Sequence, residues 1–152
     1  MKKLLTTLVI AFLAITAQAA DPFLGCVLGK TTKPDAKLLL FSAGYSVEES
    51  ESCSLMVSGE LNVAGIDFDF ASLRFGKTLS SIDYCAIGDE SMTYYTECRD
   101  KLSAIYGEGT RLFQPGAILT KWEDGAVKIT IMRMRGDEEH SPAFVLIFSL
   151  AE

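Results

Sequence analysis

A chain of 152 residues, 49% of them hydrophobic and 22% charged, is long enough to bury one core and too mixed in composition to be disordered or fibrous. Its 20 acidic against 14 basic side chains give a net charge of −6, which repels phosphate backbones and argues against nucleic-acid binding. Four cysteines without a C-x-x-C pair, and a single histidine, His140, argue against a zinc site and against a thioredoxin-like dithiol, so no metal and no cofactor is expected.

Residues 1–19 read as a secretory signal peptide. Lys2 and Lys3 form the charged start, Leu4 to Ile15 the apolar stretch, and Ala17-Gln18-Ala19 the small-residue cleavage site. The apolar run is shorter than a membrane span needs, and no other run is long enough, so the protein is not expected to span a bilayer. Asp21 and Pro22 separate Cys26 from that run, which disfavours a lipidated Cys26. Residues 20–152 read as a single domain. Loss of the two leader lysines leaves 12 basic against 20 acidic side chains. Export implies an oxidising compartment, the periplasm, so Cys26, Cys53, Cys85 and Cys98 are expected to form two disulfides, with Cys26–Cys53 and Cys85–Cys98 the favoured pairing of the three possible.

Thr32, with Pro34 in the first turn and Asp35 at the third position, predicts a short helix that ends at Gly44 and buries Leu38 to Phe41. Glu48 to Ser52 reads as an acidic loop. Strands are expected at Ser54–Val57, Leu61–Val63, Ile66–Phe75 and Leu79–Ile87, the third with a bulge near Ala71 where the alternation shifts phase. Met92 to Tyr106 predicts the main helix, with Met92, Tyr95, Cys98, Leu102, Ile105 and Tyr106 on its apolar side. Cys98 would then face the sheet and reach Cys85. Ala117–Trp122, Val127–Arg135 and Ala143–Leu150 complete a meander, the first two joined at an Asp124-Gly125 turn. The fold class is α+β: two helices on one face of an antiparallel, meander-type sheet, stapled by two disulfides.

No catalytic constellation emerges. His140 sits in an acidic turn with no serine or cysteine nucleophile in a recognisable motif beside it. Asp67 and Asp69 read better as the wet side of a strand than as an acid–base pair. Trp122 can anchor a partner or pack beneath a helix. Thr130, Met132 and Met134 share one strand face, and Val145 and Ile147 on the next strand can join them as an apolar contact surface. The alternative is that a helix covers them.

The Leu28-to-Thr32 lead into a helix, the Leu102-to-Gly107 helix end and the Trp122–Ile131 hairpin together resemble small secreted helix-plus-meander domains. β-Lactamase inhibitor proteins and a small outer-membrane assembly lipoprotein have this outline. The resemblance implies a protein that binds other proteins through a sheet face or loops and is not an enzyme. The expected function is therefore an exported periplasmic protein-binding module (an inhibitor, immunity or envelope accessory protein). Its partner would be another envelope or secreted protein, of basic character. A small-molecule or cell-wall-fragment module using Trp122 with Tyr94 or Tyr95 is the alternative, and a hydrolase using Asp67 and Asp69 the weakest reading.

Overall fold

The computed structural model describes residues 21–50 and 54–151; the leader and Cys53 lie outside the described residues. The first described helix, α1 (Lys33–Ser42), starts where expected. The Thr32 hydroxyl accepts the Asp35 N–H at 3.4 Å and donates to the Asp35 carboxylate at 2.8 Å, satisfying an N–H that no helical carbonyl can reach. Only Ala36 and Leu40 of this helix are buried. Leu38, Leu39 and Phe41 are exposed, contrary to expectation. Successive helical side chains are about 100° apart, so four apolar residues in a row cannot all face one sheet.

Among the described residues ten strands follow in the order β1 (Ser46–Ser50), β2 (Ser54–Ser58), β3 (Leu61–Val63), β4 (Ile66–Phe68), β5 (Phe70–Phe75), β6 (Leu79–Ile87), then after the second described helix β7 (Thr110–Gln114), β8 (Ala117–Asp124), β9 (Val127–Met134) and β10 (Ala143–Leu150). The segment expected as one long strand from Ile66 to Phe75 is two. β4 pairs only with β3 in a separate hairpin, and β5 enters the main sheet. Asp69 marks the break. Its carboxylate accepts the Ile87 N–H at 2.7 Å and its own N–H donates to the Cys85 carbonyl at 2.9 Å. The bulge falls between Arg74 and Phe75 rather than near Ala71.

The main sheet has eight antiparallel strands in the order β1-β2-β5-β6-β10-β9-β8-β7. It consists of two meanders whose last strands, β6 and β10, pair at the centre. The halves repeat one plan: helix, two strands, a return strand and a central strand, with the β3–β4 hairpin as an addition to the first. Ser46 to Thr110 and Leu79 to Ala143, the starts of matching strands, are the same step of 64 residues. The residues themselves show little likeness across that step, so the repeat is visible in the topology and not in the sequence.

The second helix, α2 (Ser91–Tyr106), buries Ser91, Tyr95, Cys98 and Leu102 and stops at Gly107, whose φ is 80°. Met92, expected on the buried side, is 46% exposed, one position off the 91–95–98–102 stripe. The Tyr95 hydroxyl and the Thr120 hydroxyl share a buried hydrogen bond of 2.6 Å that locks α2 to β8. The Tyr84 hydroxyl donates to the Pro22 carbonyl at 2.6 Å, also buried, and so ties residues 21–26 to the sheet. Both helices pack on one face of the sheet, against a continuous core that includes Leu55, Leu73, Tyr84, Phe144, Leu146, Phe148 and Ile131. This is the α+β arrangement read from the sequence.

The expected staples are a correction. Cys26, Cys85 and Cys98 are buried free thiols. Side chains alternate along a strand. Tyr84 and Ala86 of β6 therefore point into the core beside Cys98, while Cys85 points out of the opposite face and joins Ala143 and Val145. The sheet itself separates Cys85 from Cys98, so the pair cannot bond. Burial also raises all three thiols: Cys26 to about 11, with Asp21 adding to it; Cys98 to about 12, with Lys101 opposing; and Cys85 upward, with Asp69 adding to it. Protonated, inaccessible thiols oxidise slowly.

Candidate functional site

Every strand of the main sheet has a second face, and neither described helix packs on it. Cross-strand register identifies what stands there. Phe70 is opposite Cys85, Cys85 opposite Val145, Val145 opposite Met132, Met132 opposite Leu119, and Leu119 opposite Leu112. One unbroken apolar row thus crosses six strands, from β5 to β7. The row beside it runs Ile87, Ala143, Met134, Ala117 and Gln114. The row on the other side, Asp83, Ile147, Thr130 and Lys121, is mixed, and beyond it Ser81, Ser149, Lys128 and Glu123 are polar. The face therefore grades from apolar at one end to polar at the other.

At the apolar end the floor deepens into an open groove of about 900 Å³. Ile87, Met134, Met132, Cys85 and Ala143 form its base. The β7–β8 turn at Gln114-Pro115-Gly116 and the β9–β10 loop form its walls. Within that loop the Asp137 carboxylate accepts the N–H groups of Glu139 and His140 at 2.9 and 2.8 Å and lies 2.9 Å from the His140 ring nitrogen Nδ1. The Glu139 N–H and the His140 ring hold the Asp137 carboxyl below the usual range. Gly136 is obligatory here, since a Cβ would stand 2.5 Å from the His140 carbonyl and 2.6 Å from the Pro142 nitrogen. In the wall Asp137 and Glu139 outnumber Arg135, so it is acidic.

Thr130, Met132, Met134, Val145 and Ile147 all stand on this second face, as the alternation of their strands requires. Val145 and Thr130 are nearly closed off by their neighbours, at 7% exposure each, whereas Met134 is 38% and Ile87 55% exposed. Ile87 and Leu112 were missed by the sequence reading. Ile87 ends its strand, and Leu112 belongs to β7, a strand that no alternation announced.

Trp122 does not join them. It lies on the helix side, 4% exposed, and its indole N–H donates to the Gly107 carbonyl at 2.9 Å. Tyr95 is equally sealed, and the Tyr94 hydroxyl is held by Glu90. Asp67 and Asp69 each have a structural partner, Asn62 Nδ2 at 2.6 Å and the Ile87 N–H at 2.7 Å. His140 is exposed and faces Asp137 alone among ionisable groups within bonding distance. Among the described residues no three histidine, cysteine or acidic side chains gather to hold a metal ion, and no described helix is long and apolar enough to cross a membrane.

Comparison of the chain with protein-family models, with curated proteins and with solved structures returned no match.

Proposed function

We propose that the protein is an exported, periplasmic protein-binding module whose binding surface is the second face of its sheet. The observation that carries this reading is the apolar row from Phe70 to Leu112, bordered along its middle by a groove with an acidic wall. Methionine and aliphatic side chains ringed by charge form the usual centre and rim of a protein contact. The wall and the acidic total charge select a partner with a basic rim and an apolar knob, and steer its approach. Export rests on the leader pattern of residues 1–19. The small-ligand alternative draws nothing from Trp122 or Tyr95, whose ring faces are inside the core.

The test is affinity capture with residues 20–152, which hold the whole described fold, from envelope and secreted extracts at low and high salt. It is run beside the double variant Ile87→Asp, Met134→Asp. Both positions are exposed, so the variant keeps its fold. One stoichiometric basic protein is expected, weakened at high salt and lost with the variant. A partner that the variant retains in full would contradict the assignment of the face.

A further inference from the structure

The two edges of the sheet are unlike. β1 reads Ser46-Val47-Glu48-Glu49-Ser50, and an antiparallel copy laid against it would put Glu48 opposite Glu48. Charged edges of this kind resist pairing. β7 reads Thr110-Arg111-Leu112-Phe113-Gln114; all five residues are exposed, Phe113 to 72%. An apolar, exposed edge strand is a template for another strand.

The hydrogen-bond phase of β7 follows from its neighbours. The Arg135 N–H donates to the Gly116 carbonyl at 2.7 Å, which makes Ala117 and Met134 a non-bonded pair and directs the Ile118 backbone groups toward Arg133. Phe113, opposite Ile118, is therefore not bonded to β8. Its N–H and C=O, and by alternation those of Arg111, project from the free edge.

We infer that β7 is a homodimer interface, pairing antiparallel with β7 of a second copy about a two-fold axis through Leu112. In that register Arg111 of one copy meets Phe113 of the other, the two residues whose backbone groups are free, so four inter-chain hydrogen bonds form. The same pairs set a guanidinium beside an aromatic ring on one face, and no like charges stand opposite. On the other face Leu112 meets Leu112, so the apolar row of each copy runs on into its mate. The contact is isologous and closes at two copies. The edge adjoins the groove at Gln114, but the groove's base at Ile87, Met134, Met132, Cys85 and Ala143 lies on other strands, so a monomer retains the groove whichever way this test falls.

The test is solution mass by light scattering for residues 20–152 across the micromolar range, with two variants. Phe113→Pro deletes an N–H that β8 does not use, so the monomer keeps its sheet. Leu112→Lys sets two ammonium groups together at the axis. The expected result is a dimer mass for the parent, halved in both variants with unchanged circular dichroism. A third variant, Leu112→Cys, is expected to cross-link to its mate on mild oxidation, because it forms a close non-bonded pair. A parent that stays monomeric throughout overturns the proposal, as does a dimer that survives Leu112→Lys. Should Phe113→Pro fail to fold, Leu112→Lys and Leu112→Cys decide alone.

Discussion

Phe144→Ala is expected to remove about 3–5 kcal/mol of unfolding free energy. Phe144 is fully buried on the central strand β10. Its ring lies 6.1 Å from that of Phe68 and 6.3 Å from that of Tyr94, so one side chain joins the β3–β4 hairpin, α2 and the main sheet. Removing it loses the transfer free energy of the ring and leaves a hole that three separate elements would have to move to fill. A domain of this size has roughly 5–15 kcal/mol in total, so the variant stands near the edge of folding at 37 °C. Urea unfolding of both proteins measures the difference. A change under about 1 kcal/mol would mean that Phe144 is not at the junction of these elements.

Gly109→Ala is expected to cost about 1–3 kcal/mol or more, through overpacking and not through backbone strain. A Cβ at Gly109 would stand 2.6 Å from Trp122 Cε2, 2.7 Å from Thr120 Cγ2 and 2.8 Å from the Lys121 carbonyl. The indole cannot swing aside freely, because its N–H is held by the Gly107 carbonyl, and the Lys121 carbonyl is backbone. The chain between α2 and β7 must therefore move off β8. Trp122 is the only tryptophan, so its fluorescence should shift to the red as water reaches the ring. Gly76→Ala is the control. A Cβ there meets nothing within 4 Å, and the expected change is neutral or slightly stabilising. Equal behaviour of the two variants would contradict the packing described around Trp122.

The features that set the fold were legible where chemistry was local. Thr32 and Asp35 announced α1, Gly107 ended α2, and the alternation in β9 and β10 sorted Met132, Met134, Val145 and Ile147 onto one face. What was missed depended on long-range partners. β1 and β7 are edge strands with one neighbour each, so no buried alternation marks them. The break at Asp69 is set by a bond to Ile87, eighteen positions later in the chain. The Cys85–Cys98 staple failed on parity: the helix stripe placed Cys98 toward the sheet, but only the register of β6 shows that Cys85 faces away. The six-strand row itself is a product of register across five pairings, and no single segment carries it.

The binding face is tested most directly by oxidative footprinting of the methionines in the captured complex. Met134 and Met132 stand on the second face and Met92 on exposed α2. Met134, and to a smaller extent Met132, is expected to be shielded from oxidation when the partner is bound, while Met92 oxidises as fast as in the free protein. Shielding of Met92 with Met134 left open would place the partner on the helical side and rule out the second face as the binding surface.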